Sequence, residues 1–232
     1  MVDMKRPVII GHRGIRGGLE NTIPAFREAI QHAEGIEFDI RSTGDGKLVV
    51  HHDPAFRSNG KEYPLHELTL LEIRRLHPNG KIIPTVREVF TKFPQVLLDA
   101  DIKEVATVEP VLRIAERTGS IERTVFSSEN LEIVRGLLRE CPDCKVGFSI
   151  VNHVTPFRLP KIKGLYSVHV PIDAVSYIGY RPLVVFLKIL KKRGLRVYLW
   201  NYSMNELFWV PRLVHLIDAV ISDDPSRLRK VF

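Results

Sequence analysis

Short runs rich in Val, Ile and Leu alternate along the whole chain with segments of helical periodicity, and this alternation constrains the fold most. Strands separated by helices need crossover connections, which produce a parallel sheet. Eight strands are expected, at Val8–His12, Ile36–Arg41, Gln95–Ile102, Thr124–Ser127, Lys145–Ile150, Tyr166–Val170, Leu195–Trp200 and Ala219–Ser222. Helical patterns fill Ile23–Ala33, Leu70–Leu76, Thr85–Phe93, Val108–Thr118, Leu131–Glu140, Leu183–Lys192 and Asn205–His215. An extra strand, Lys47–His52, follows the second through the turn Thr43-Gly44-Asp45-Gly46. Residues 54–66 read as a loop, and 151–164 as a loop with room for a short helix. Eight βα units in 232 residues describe a compact α/β protein, a (β/α)8 TIM barrel in one domain, 1–232. The competing doubly wound sheet lacks its glycine-rich fingerprint after the first strand.

The net charge of +7 raises the question of an anionic partner. Its distribution is uneven: residues 158–232 hold 13 Lys/Arg against 5 Asp/Glu, whereas 1–157 hold 21 against 22. Lys188, Lys191, Lys192 and Arg193 precede Gly194, where a helix C-terminus favours cations. A solvated helix end is the simpler reading; peripheral contact with an anionic membrane is the alternative. No aromatic RNA-binding signature or zinc-finger spacing points to nucleic acid. Phe208 and Trp209 are expected to pack inward from an amphipathic outer helix. Cys141 and Cys144 lack the further soft ligands of a metal site, so they read as plain thiols or a local disulfide. The start Met-Val-Asp-Met-Lys-Arg-Pro has no apolar signal core and no stretch is long enough to span a bilayer, so a cytoplasmic location is expected. Oligomeric state is not legible.

Chemistry gathers at the strand ends. Glu37 and Asp39 lie two apart on the second strand and share a face, opposite Ile36, Phe38 and Ile40. Two carboxylates facing a barrel interior repel unless a cation lies between them, which makes Mg²⁺ or Ca²⁺ a natural occupant, with Mn²⁺ also acceptable. An ion-pair network with inward Arg or Lys is the alternative. Asp99, Asp101 and Lys103 repeat the pattern on the third strand. Asp101, nearer the C-terminal end where barrels keep their sites, is the expected third ligand, leaving Lys103 free for an anionic substrate. His12 and His52 end two strands beside this triad and suit a general acid and general base. Arg13 offers a planar fork for phosphate oxygens. Metal, Arg, Lys and paired histidines together describe phosphodiester cleavage. Glu20 and Asn21 either support this site or cap the first helix, and Trp200 either stacks on substrate or fills the rim.

The series His12-Arg13-Gly14, Glu20-Asn21-Thr22, Ala25-Phe26, Glu37-Phe38-Asp39, Asp45-Gly46, Val49-Val50 and His52-Asp53 resembles the signature of the glycerophosphodiester phosphodiesterase family. Ile83-Pro84-Thr85, Glu88-Val89, Asp101-Ile102-Lys103, Trp200 and the strand Asp218–Asp223 extend the likeness over nearly the whole chain. The resemblance implies hydrolysis of a small glycerophosphodiester to sn-glycerol 3-phosphate and an alcohol. It implies His12 and His52 as the catalytic pair, Glu37, Asp39 and Asp101 as ligands of a divalent metal, and Arg13 and Lys103 on the phosphate. A lysophospholipase D acting on lipid substrates and a non-catalytic phosphodiester-binding barrel are the rival readings. Two departures stand out: Asp101 replaces the family's usual Glu, and Asn201-Tyr202-Ser203 follows Trp200 where the family has Thr-Val-Asn.

Overall fold

The computed structural model describes residues 6–152, 156, 159, 162–202 and 205–232. Its elements in chain order begin with β1 (Val8–Gly11), α1 (Ile23–Ala29), β2 (Gly35–Ser42), β3 (Leu48–Val50), β4 (Ala55–Ser58) and β5 (Lys61–Pro64). Next come α2 (Leu70–Leu76), α3 (Val86–Lys92), β6 (Leu97–Ile102), α4 (Val108–Arg117), β7 (Thr124–Ser128), α5 (Leu131–Glu140), β8 (Lys145–Ser149) and β9 (Ser167–Pro171). The chain closes with α6 (Ala174–Ile178), α7 (Tyr180–Lys192), β10 (Arg196–Trp200), α8 (Glu206–Leu213), β11 (Ala219–Ser222) and α9 (Pro225–Arg229). Eight strands, β1, β2 and β6 to β11, pair in parallel around a closed ring, with β1 bonded to both β2 and β11. This is the (β/α)8 barrel that the alternating pattern predicts.

The two faces of each strand divide the labour. Ile36, Phe38 and Ile40 of β2, Leu98, Ala100 and Ile102 of β6, and Phe126 of β7 point outward into one large apolar layer beneath the helices. Phe26, Phe38, Phe90 and Phe93 meet there edge to face. The inward positions are then left for chemistry. The parallel register sets Glu37 beside Asp99 and Asp39 beside Asp101, so two layers of acids line the interior. Ile10, Val125, Tyr198, Ala219 and Ile221 form a second apolar cluster.

Local signals set several ends. Thr69 and Thr85 each cap a helix in a reciprocal bond with a Glu three residues on, Glu72 and Glu88. Thr22 caps α1 and accepts from the Ala25 amide, which releases Asn21 from that role. At the end of β1 a Cβ on Gly11 would collide with the Gly14 carbonyl and the Ala29 side chain, and Gly14 lies at φ +87 against the Ala25 backbone. The chain thus turns sharply between two glycines and presents His12 and Arg13, the latter itself at φ 51.

The structure departs from the sequence expectation in several places. Residues 55–64 form a hairpin rather than a loop, with Phe56 stacked on Tyr63. Its turn, Asn59-Gly60, has φ 50 and φ 76, the left-handed pair that closes two-residue hairpins. The first helix stops at Ala29, α7 starts earlier at Tyr180, and α6 and α9 are additional short helices. Parts of the 151–164 segment, and Ser203, lie outside the described residues. Cys141 and Cys144 are joined in a disulfide. Trp209 packs against the core layer, but Phe208 is exposed under the Arg212 guanidinium, so the inward packing expected of the pair holds for Trp209 alone.

Candidate active site

At the C-terminal end of the barrel a cavity of about 150 Å³ is lined by His12, Arg13, Glu37, Asp39, His52, Asp99, Asp101, Lys103, Trp200 and neighbours that include His169 and Tyr202. They arrive from a few strand ends and the loops that follow: His12 and Arg13 after β1, Glu37 and Asp39 on β2, Asp99, Asp101 and Lys103 on and just past β6. β3 runs antiparallel to β2, and the His51 amide donates to the Asp39 carbonyl, which carries His52 back over the mouth.

Glu37, Asp39 and Asp101 each offer an oxygen, and these atoms lie within 4.8 Å of one another. Burial, then the charge of Asp39, pushes the Glu37 carboxyl up to about 8. Burial also raises Asp101, against the pull of Lys103. Asp39 behaves oppositely: burial opposes its charge, but Lys103 and Arg13 outweigh it and hold the carboxyl well below the usual range. Lys103 Nζ lies 2.9 Å from Asp39 Oδ1 and 2.5 Å from Asp101 Oδ2. Arg13 Nε lies 3.3 Å from Asp39 Oδ2, and its terminal nitrogen donates to Glu20 at 3.1 Å. Asn21 donates to Asp39 at 2.8 Å. Glu20 and Asn21 therefore brace the site, and Lys103 is tied to two carboxylates rather than free as expected. The charge of the aspartates already has partners, yet Asp101 Oδ1 is buried without a hydrogen-bond partner among the described residues. Three clustered oxygens, one of them unsatisfied, fit a hard divalent cation.

The two histidines are built alike. His12 Nδ1 donates to Asp223 at 2.6 Å, and its Nε2 lies 3.9 Å from Glu37 Oε2. His52 Nδ1 is 2.8 Å from Asp53 Oδ1. A carboxylate on Nδ1 fixes ring orientation and leaves Nε2 outside that bond. Burial lowers His12, but the Asp223 bond and the charges of Glu37 and Asp223 overcome it and hold the imidazole above its ordinary value. Asp223 is in turn set by its surroundings. Buried Glu206 accepts from Ser222 at 2.5 Å and from Asn201 at 2.7 Å, locking the ends of β10 and β11 together just before it. Trp200 is half-buried on the cavity wall, its edge against exposed Tyr202, and its Nε1 has no partner among the described residues.

Sequence reasoning missed Asp223, Ser127 and His169. Asp223 follows directly on β11, and its place one residue past a strand's C-terminal end was the available signal. His169 shares the inward face of β9 with Ser167; it stacks on Tyr198 and lies 3.6 Å from Asp99. Burial pushes Asp99 up to about 7 and His169 down to about 4, so both groups are shifted toward their uncharged forms.

The Glycerophosphoryl diester phosphodiesterase family matches residues 12–227, which covers every residue of this constellation. The chain belongs to that family. This chain is one of its phosphodiesterases. It is 30% identical to a glycerophosphodiester phosphodiesterase of Caldanaerobacter subterraneus subsp. tengcongensis, over 96% of each chain. It is 31% identical to lysophospholipase D GDPD1 of Homo sapiens, over 95% of this chain and 84% of that one. The crystal structure of the Thermotoga maritima glycerophosphodiester phosphodiesterase superposes with a TM-score of 0.81 at 29% identity, covering 98% and 99% of the two chains.

Replacing Asp223 by Asn is expected to cost at least about 100-fold in turnover, because His12 loses the charge on its acceptor and the amide can instead donate to Nδ1 and hold the wrong tautomer. Removing that charge lowers the His12 pKa, so the limb of the pH–rate profile that His12 governs moves to lower pH. An unshifted profile in the variant would separate the two residues.

Proposed function

We propose that this chain hydrolyses glycerophosphodiesters to sn-glycerol 3-phosphate and an alcohol. The reading is carried by one observation: a carboxylate triad with Glu37 and Asp39 buried, two histidine–carboxylate pairs and two cations converge on one cavity of a family phosphodiesterase. Glu37, Asp39 and Asp101 would hold a divalent ion, Mg²⁺, Ca²⁺ or Mn²⁺. Such an ion supplies Lewis-acid stabilisation of charge on phosphoryl oxygens. Arg13 and Lys103 line the cavity beside the acids and present positive charge to the phosphodiester. His12 and His52, each held through Nδ1, divide the proton transfers between them: one takes the proton of the attacking hydroxyl and the other protonates the leaving alkoxide. Trp200 and Tyr202 offer aromatic surface to the alcohol side of the substrate.

The reading is tested with purified protein on glycerophosphocholine, glycerophosphoethanolamine and lysophosphatidylcholine. Release of sn-glycerol 3-phosphate from the first two is expected. Lysophosphatidic acid from the third alone would favour a lysophospholipase D, a reading that the human relative's name and the exposed Tyr202 also support. No product from any diester would leave a binding barrel.

A further inference from the structure

One face of the barrel differs from the rest in charge and polarity. Between residues 174 and 215 the sequence holds seven Lys/Arg and a single acid, Glu206, which is buried. The same span carries exposed large apolar side chains: Tyr177 is 87% exposed, and Ile178, Tyr180 and Phe208 are also on the surface. These residues are joined into one patch. Tyr180, at the start of α7, stacks on Trp209 of α8 with ring centroids 5.7 Å apart, and its hydroxyl donates to the Arg212 carbonyl. Arg212 covers the Phe208 ring at 3.7 Å, and Ile178 and Arg181 flank Tyr180 in the chain.

The patch continues along α7, which has no acidic residue. Arg181, Val185, Lys188, Ile189 and Lys192 are exposed at the spacing of a single helical face. Aromatic rings, aliphatic side chains and long cations with apolar stems make up the composition that settles at the boundary between lipid headgroups and acyl chains. Position adds to this. Helices α6 and α8 follow the C-terminal ends of β9 and β10, and α7 follows α6, so Tyr177, Tyr180 and Phe208 lie towards the cavity end of the barrel, with exposed Tyr202 between β10 and α8.

We propose that the α6–α7–α8 face is a docking surface for an anionic phospholipid membrane, and that it sets the side of the barrel, with the mouth at one end, on the bilayer. Charge complementarity selects this occupant: a surface bearing cations and no exposed carboxylate across 42 residues is matched by negative headgroups, while its tyrosines and Phe208 supply the apolar part. A second copy of the chain would place two such cationic faces together, which repels. The inference is independent of the proposed reaction, because its readout is binding and not turnover.

The test is co-sedimentation of the full chain with sucrose-loaded vesicles of phosphatidylcholine alone or with 30 mol% phosphatidylglycerol, at ~0.1 M and ~0.5 M salt. Binding to the anionic vesicles, weakened by salt, is expected. Arg181→Glu should weaken it by at least about fivefold, since each basic residue near an anionic surface contributes about that factor. A Tyr177→Ser/Phe208→Ser double variant should weaken it as well, without the salt dependence changing. Neither variant touches the cavity, so turnover of soluble glycerophosphocholine should be unchanged in both. Equal sedimentation with neutral and anionic vesicles, or wild-type binding by both variants, would overturn the proposal. So would a concentration-dependent dimer, seen by analytical ultracentrifugation, that Arg181→Glu or the double variant dissolves.

Discussion

Replacing either His12 or His52 by Ala is expected to lower kcat/KM by about 10²–10⁴-fold while leaving the fold intact. Each ring lines the cavity with its own Nδ1 held by a carboxylate, Asp223 or Asp53, so neither can stand in for the other. The side chains are 23% and 42% exposed, which keeps the stability cost of truncation small. Product release measured beside a denaturant midpoint separates the two effects. Turnover at the wild-type rate in either variant would remove that histidine from the mechanism.

Two conservative changes in the carboxylate triad should part company. Glu37 carries its proton near neutral pH in the cation-free protein, because burial and Asp39 push its pKa up to about 8 from 4.5. The folded state therefore binds this proton more tightly than the unfolded chain does. The contribution is fully present below about pH 4.5 and is lost as pH rises through about 8, a change on the order of a few kcal/mol. Glu37→Gln, which imitates the protonated acid, should flatten that decline and fold at least as well at pH 8. Asp39→Asn should do the reverse. It leaves Lys103 and Arg13 beside a neutral amide, and breaking one side of a buried ion pair costs about 3–5 kcal/mol. Both variants should nevertheless lose divalent-cation binding, seen as the loss of any thermal shift on adding Mg²⁺, Ca²⁺ or Mn²⁺. A thermal shift retained in full by Glu37→Gln would take Glu37 out of the cation site.

Much of this arrangement is legible in the residues themselves. The period-two alternation of Glu37 and Asp39 with Ile36, Phe38 and Ile40 states which face of β2 looks inward, and the same rule places Asp99 and Asp101 on β6. What a strand pattern does not contain is register, and register is what sets Asp39 beside Asp101 so that one lysine bridges both. The strand pattern alone therefore leaves Lys103 free, whereas the register pairs it. Asp223 escaped for a related reason: its bond to His12 joins residues 211 apart, and only barrel closure between β1 and β11 brings them together. The 55–64 hairpin was missed although Asn59-Gly60 signals it, because its strands are four residues long and carry charges between their two aromatic residues. Asn21 was open between cap and site support; Thr22 takes the cap, and Asn21 holds Asp39.

A carboxylate triad and two histidines that form a cation-dependent phosphodiesterase centre make turnover depend on the bound ion. The most direct measurement is the release of sn-glycerol 3-phosphate from glycerophosphocholine by the purified chain, before and after exhaustive chelation with EDTA, and again on adding back Mg²⁺, Ca²⁺ or Mn²⁺. Turnover should fall by at least about 10²-fold on chelation and return with at least one of the three ions. Turnover fully retained after chelation would contradict this dependence.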